Sequence, residues 1–374
     1  MADFCGKILG PFEHGGELFR IARQLGVAPK DCLDFSASIN PLGIPPGVMA
    51  AVQESLADLM HYPEADAGAL IADLAAHHAI PAEHLLVGNG STELLYLLPR
   101  VFRPRRALLP CPAFSEYERS LALAGSAIDL LPLDPKENFR LDPERLLRRL
   151  EPDTDLIFLA SPANPSGMAM KVEDVCAIAA AVRSQAVVAV DEAFIDFCPE
   201  VSAIQCVAEF PNLYVFRSLT KFYAIPGLRV GYMAGPVRGI ARLATAQPPW
   251  SVSTPSLAAA RACLAEEEYR RRSVAAIPPL RQTLAEGLAA LGLKVFPSAA
   301  NFIPARLEIP GRSAAELREL LLRQRILIRD CGNFACLDPR YLRVAVRTEQ
   351  ENARLLRALG EIFDLWGGTV RGTG

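Results

Sequence analysis

Lys221 and Arg229 stand eight positions apart in Arg217–Tyr232, RSLTKFYAIPGLRVGY, a stretch that is otherwise mostly apolar. A lysine after a strand is by itself an ordinary surface charge. It becomes a nucleophile toward a carbonyl carbon when desolvation or neighbouring cations lower its pKa, and Arg217 and Arg229 are near enough along the chain to contribute. The chemistry such a lysine offers is a Schiff base to an aldehyde.

If the aldehyde is pyridoxal phosphate, three more groups are needed: a phosphate cradle, a carboxylate for the pyridine nitrogen and a donor for the ring oxygen. The sequence GNGST ending at Thr92 supplies backbone N–H groups at a helix start and two hydroxyls, which suits Gly90, Ser91 and Thr92 to a phosphate. It matches neither the GxGxxG nor the GxxxxGK[ST] pattern. Asp191 closes VVAVD, where a buried carboxylate needs a cation, either an arginine or a protonated pyridine nitrogen. Asn164 in SPANPSG either caps a proline turn or donates to a ring oxygen. Phe114 in PAFSEY belongs either to the core or to the face of a ring.

These residues follow a repeated pattern of apolar run, polar turn and helix-like stretch, as in HLLVGNGSTELLYLLPRVF and ALLPCPAFSEYERSLALAG. DLIFLASPANPSG, VVAVDEAFIDF and NLYVFRSLTK are further strands ending in polar residues. Fully apolar strands between helices predict a parallel sheet covered on both faces, with ligands at the carboxyl ends of its strands. Residues 254–291 have helical spacing and predict a long helix joining two domains, bent at Pro278-Pro279. Beyond it, strand, helix, strand, strand and helix follow. The expected division is an N-terminal arm over 1–47, a large domain over 48–275 and a small domain over 276–374.

At 374 residues, 51% hydrophobic and 22% charged, the chain has the balance of a globular protein with a sizeable core. A net charge of −3 supplies no diffuse basic field for nucleic acid or an anionic membrane, so an anion must be met by locally placed arginines. The apolar runs fall short of a membrane span and the N-terminus lacks a signal-peptide pattern, which points to the cytoplasm. Nine cysteines without a CxxC pair suit reduced thiols, and neither a disulfide framework nor a metal site is expected.

Together these residues resemble the fold-type I pyridoxal-phosphate enzymes, in the class I/II branch of the aspartate aminotransferase superfamily. The resemblance implies an α/β fold, with a mostly parallel sheet between helices in a large domain and a smaller α/β C-terminal domain. It implies that Lys221 is the Schiff-base lysine and that Ser218 and Arg229 join Gly90, Ser91 and Thr92 on the cofactor phosphate. Phe114 would stack on the ring, Asn164 would bond its oxygen and Asp191 would pair with its nitrogen. Phe194 stands where many relatives carry a tyrosine. Tyr62, in HYPEAD, matches a tyrosine that reaches the cofactor of the neighbouring subunit, which implies a homodimer.

Within the branch, HGGELFRIARQLG, LDFSASINPLG, DEAFIDF and RILIRDCGNF resemble the threonine-phosphate decarboxylase group, beside the histidinol-phosphate aminotransferases. This implies decarboxylation of L-threonine O-3-phosphate to (R)-1-amino-2-propanol O-2-phosphate for cobalamin biosynthesis. Guanidinium forks suit both anions of such a substrate, and Arg329, Arg343 and Arg347 lie on strand-like segments. Arg343 and Arg347, four apart, would share one strand face. The resemblance makes Arg343 the carboxylate binder and Arg329 a phosphate binder and puts His14 and Asn40 in the arm over the substrate; Arg347 is a further candidate, and ordinary salt bridging is the alternative for all three arginines.

Overall fold

A computed structural model describes residues 14–367. Its centre is a seven-stranded sheet whose strands lie in the order Leu85–Gly88, Gly231–Ala234, Leu213–Ser218, Val187–Asp191, Thr154–Ala160, Arg106–Cys111 and Ala127–Pro132. All six residues of Leu213–Ser218 are buried, as are the last four of Val187–Asp191, because helices cover both faces. Five neighbouring strands are mutually parallel. Gly231–Ala234 runs against both of its neighbours. The chain reaches it by turning back through Pro226–Leu228 and Arg229, a non-glycine residue at φ 49°, so Arg217 pairs with Tyr232 and Ser218 with Gly231.

Helix follows the parallel strands in the expected way, with Gly90–Phe102 after Leu85–Gly88 and Ser115–Leu123 after Arg106–Cys111. The long helical region differs in one respect. It consists of Thr254–Ala265 and Glu267–Ala290, broken at Glu266 (ψ 62°), while Pro278 and Pro279 lie inside the second helix. The interruption therefore falls at the junction of two helices, and residue 276, the expected domain boundary, lies within the second.

The C-terminal part carries an antiparallel sheet in the order Arg329–Asp330, Tyr341–Ala345, Phe302–Arg306 and Lys294–Val295. Leu33–Asp34 pairs in parallel with Ile326–Leu327, and Ile21, Ala22 and Cys32 pack against Leu322 and Leu327. The segment leading to the large domain is thus built into the C-terminal part. The helix Glu349–Leu365 starts with a capping box between Thr348 and Glu351.

The cysteines depart from expectation. Cys111 and Cys336, 225 residues apart, form a disulfide with their Cα atoms 6.1 Å apart. The fold brings a strand end of the central sheet against the loop after Arg329–Asp330, an encounter that no local spacing announces. The other six described cysteines are free. No helix among the described residues is long and apolar enough to cross a membrane. No group of three His, Cys, Asp or Glu among them is arranged to hold a metal ion.

Candidate active site

At the carboxyl ends of the parallel strands lies a cavity of about 620 Å³, walled on its far side by the C-terminal sheet. Ser91, Thr92, Phe114, Asn164, Asp191, Ser218, Lys221, Arg229, Arg329, Arg343, Arg347 and His14 all line it. Residues scattered from 14 to 347 converge because five strand ends of the central sheet, the C-terminal sheet and the arm meet there.

Lys221 lies in the short helix Leu219–Phe222, directly after Ser218. Desolvation, followed by the charges of Arg229 and Arg343, lowers its amine from 10.5 to about 8, with Asp191 opposing. Arg217 contributes nothing there, contrary to the expectation. Side chains alternate along a strand, so Arg217 points to the opposite face from Ser218 and binds Glu192 at 3.3 Å and Asp196. Only Arg229 of the two serves the lysine.

Arg229 comes back over the helix start at Gly90, whose φ is +72°. A Cβ there would lie 2.6 Å from Arg229 Nη2, so the left-handed backbone favours glycine and any larger residue would displace the Arg229 guanidinium. Ser218 Oγ and Thr220 Oγ1 are 2.9 Å apart beside the same cradle.

Asp191 is buried, with Oδ2 accepting the Tyr117 hydroxyl at 2.6 Å and Oδ1 accepting the Ala193 N–H at 2.9 Å. Burial raises its pKa despite these bonds and the pull of Lys221. Tyr117 stacks on Phe158 at 4.4 Å and meets Phe114 edge-on at 5.6 Å. Tyr117 is a site residue not expected from the sequence; its place three residues after Phe114, about one helical turn on, is the signal that marks it. Phe194 packs edge-on against Phe302 at 5.1 Å and also lines the cavity.

Arg343 is buried against Phe302, its guanidinium 5.0 Å from the ring centre. Its Nη1 donates to Asn164 Oδ1 and its Nη2 to the Ser36 carbonyl at 2.9 Å. Burial lowers its pKa from 12.5 to about 10, with Arg329 adding to the effect. Arg329 faces it across the antiparallel pair, bonds Asn333 at 2.9 Å and lies over Phe334. Arg347 does not share the strand of Arg343, which ends at Ala345. Its guanidinium bonds the Asp34 carbonyl at 3.1 Å and Glu351 at 2.7 Å, tying the arm to the last helix.

One further position differs from the expectation. Asn40 is not in the cavity wall. Its amide donates to the Phe222 carbonyl at 2.9 Å and to Ser273 Oγ at 2.8 Å, and its backbone N–H donates to the Lys221 carbonyl at 3.0 Å. It braces the lysine turn from behind. Ser38, two residues earlier, does line the cavity, and its buried hydroxyl has no hydrogen-bond partner among the described residues. Nothing in DFSASINPLG marks which of its polar residues turns inward. Tyr62 lies outside the cavity, 81% exposed and 4.8 Å from the Trp250 ring.

The family model for aminotransferase class I and II matches residues 30–359. The chain belongs to this family. Its members depend on pyridoxal 5′-phosphate, the cofactor expected from the sequence, and its architecture is the expected fold-type I arrangement. The chain is 39% identical to the threonine-phosphate decarboxylase of Salmonella typhimurium, over 94% of this chain and 96% of that one. It is 31% identical to the adenosylcobalamin biosynthesis bifunctional protein CobDQ of Leptospira interrogans, over 94% of this chain but 41% of that longer protein. The crystal structure of the histidinol-phosphate aminotransferase from Clostridium acetobutylicum superposes with a TM-score of 0.83 at 30% identity, covering 89% of this chain and 99% of that one.

Proposed function

We propose that the protein is a pyridoxal-phosphate-dependent decarboxylase that converts L-threonine O-3-phosphate to (R)-1-amino-2-propanol O-2-phosphate and carbon dioxide, in cobalamin biosynthesis. The observation that carries this reading is the cross-strand pair Arg343 and Arg329. Both line the cavity that holds Lys221, giving separate guanidinia for the carboxylate and the phosphate of one small substrate. The similarity to the Salmonella and Leptospira proteins supports the same reaction and pathway.

The residues fit the cofactor. Gly90, Ser91, Thr92, Ser218 and Arg229 form a cradle for its phosphate, kept open where a Cβ at Gly90 would intrude. Asp191, with a raised pKa, gains from a cationic ring nitrogen beside it. Phe114 offers a ring face and Asn164 an amide for the ring oxygen. Bound there, the cofactor supplies an electron sink joined to the substrate's amine nitrogen.

The chain's own residues decide what that sink is used for. Arg343, fixed by Asn164 and Ser36, holds the substrate carboxylate, while Arg329 and His14 hold the phosphate. Two anchors on opposite ends of the substrate fix rotation about Cα, which sets the bond that breaks. When Cα–CO₂⁻ breaks, its electron pair stays at Cα and a proton must replace the carboxylate. Lys221, with an amine near 8, can hold that proton at Nζ.

The protein is also proposed to act as a homodimer. Tyr62, Met60, Leu59, Leu56 and Trp250 are exposed apolar side chains, and Tyr62 and Trp250 border a pocket shared with Arg229 at the back of the cradle. A partner's Tyr62 would complete the phosphate site from that side.

The likeness to the aminotransferase structure sets the competing outcome. The holoenzyme is incubated with O-phospho-L-threonine, with and without 2-oxoglutarate. Carbon dioxide and aminopropanol phosphate in the absence of the oxoacid support the decarboxylase. Glutamate formed only with the oxoacid refutes it in favour of transamination, with histidinol phosphate as the next substrate to test.

A further inference from the structure

The bridge between Cys111 and Cys336 joins the two sides of the cavity, and each end of it lies close to a group assigned above. Cys111 is fully buried at the end of the strand Arg106–Cys111, shortly before Phe114. Cys336 is exposed, in the loop between Arg329–Asp330 and Tyr341–Ala345. That loop carries Asn333, which accepts a hydrogen bond from Arg329 at 2.9 Å. It also carries Phe334, which lines the cavity and whose ring centre is 5.0 Å from the Arg329 guanidinium.

The loop is fastened at its ends. The Cys331 N–H donates to the Tyr341 carbonyl at 2.9 Å, and the Ala314 N–H to the Pro339 carbonyl at 2.8 Å. Between these ties, Phe334 and Leu337 pack with Phe139, Phe296 and Tyr341, while Cys336 is held at φ 69°, a left-handed backbone that strains a residue bearing a Cβ. The bridge is the covalent restraint on this middle part, and cutting it lets Cys336 leave that conformation. Cys111 stays paired in the central sheet, opposite Pro132. A chain of 374 residues has core enough to fold without a covalent staple, and the other six described cysteines are free thiols. A single bridge in such a chain, with one end exposed, has the placement of a bond that is made and broken in use.

We propose that Cys111 and Cys336 form a thiol–disulfide exchange site for a dithiol reductant, and that the state of this bond sets how firmly Arg329 is held for the substrate's phosphoryl group. The proposal rests on the phosphorylated-substrate reading above and adds a control on it. In the exchange, one thiolate of the reductant attacks Cys336 Sγ from solvent. The new S–S bond forms as the bond to Cys111 breaks, and Cys111 Sγ leaves with the electron pair and takes a proton. The second thiol of the reductant then displaces Cys336 in the same way, so the protein ends with both cysteines reduced and the reductant oxidised to its disulfide. Gly90, Lys221 and Arg229 lie on other segments, so the cofactor's holders are outside the released loop.

The test compares holoenzyme prepared without reductant, the same protein after dithiothreitol and desalting, and Cys336→Ser. Peptide mapping after alkylation reads the state of each cysteine, and bound-cofactor absorbance is titrated with O-phospho-L-threonine and, separately, with L-threonine. Reduction is expected to free Cys111 and Cys336, keep the cofactor and weaken O-phospho-L-threonine roughly tenfold, the effect of about one charged hydrogen bond, with L-threonine changed less than about twofold. Glutathione disulfide should restore the wild type, and Cys336→Ser should behave as the reduced protein whether or not a dithiol is added. Equal affinity of the oxidised and reduced proteins for O-phospho-L-threonine overturns the proposal, as does a dithiol response that persists in Cys336→Ser. Free Cys111 and Cys336 in protein prepared without reductant overturn it too. Equal weakening of both ligands overturns the link to Arg329 in favour of a general loosening of the cleft. Oxidised enzyme that binds the two ligands alike overturns the phosphorylated-substrate reading, a result read before any reductant is added and so separable from the response to it.

Discussion

Arg343→Lys keeps a formal cation and removes the fork. In the native site, Nη1 is engaged by Asn164 and Nη2 by the Ser36 carbonyl, so the guanidinium is held in one orientation and offers its remaining donors to the substrate. A lysine reaches one acceptor at a time and lacks that clamp. Burial has already brought the arginine from 12.5 to about 10, and an amine, which starts lower, is driven lower still. The substitution should therefore cost at least one charge-assisted hydrogen bond, about 1.5–3 kcal/mol, or roughly 10- to 150-fold in kcat/KM. The loss should deepen as pH rises toward about 9, because the substituted amine sheds its proton at a lower pH than the arginine, which holds its own up to about 10. Carbon dioxide release from O-phospho-L-threonine, measured across pH, reads the effect, and visible absorbance reports cofactor occupancy. A variant within twofold of wild type at every pH would refute the carboxylate role. Loss of the cofactor would mean that the arginine serves the other ligand.

Lys221→Ala should abolish the visible absorbance of the lysine-bound cofactor, and an unchanged band would reject the assignment. In cofactor-free protein the folded state lowers the Lys221 amine from 10.5 to about 8, so the unfolded chain binds more protons between those values and stability rises with pH. Wild type should gain about 3 kcal/mol over Lys221→Met across that window, read by paired urea titrations. Asp191→Asn, which removes the charge but keeps a group for Tyr117, should lower kcat by about a hundredfold or more; near wild-type turnover would exclude a role at the ring nitrogen. Gly90→Ala should destabilise the protein by about 1–2 kcal/mol through its left-handed backbone. It should also raise the cofactor Kd by displacing Arg229, so an unchanged Kd would place the phosphate elsewhere.

Strand ends were the legible part of this sequence. Apolar runs closing on Asp191, Ser218 or the turn before Asn164 announce both the sheet and the side of it that carries chemistry, because a run buried on both faces has only its ends for polar groups. What was not legible depends on parity or on distant encounters. Arg217 and Arg229 look equivalent in sequence, but one residue of strand alternation sends Arg217 to Glu192. Asn40 and Ser38 share one polar turn, and only the packed structure separates the brace from the cavity wall. Arg347 lies just past the end of its strand, so the assumption of a common face with Arg343 fails by two residues. Cys111 and Cys336 meet only because two separately built sheets are apposed.

The pairing of Arg217 with Tyr232 closes the lysine-bearing segment into a loop whose two ends are hydrogen-bonded neighbours in the central sheet. Lys221 and Arg229, proposed to hold the aldehyde carbon and the phosphate of one cofactor, are therefore spaced by their own short tether and not by the apposition of two domains. The arginines proposed for the substrate sit on a different sheet. Any opening between the two sheets would release the reaction product and leave the cofactor's grip intact, so turnover and retention have separate mechanical supports.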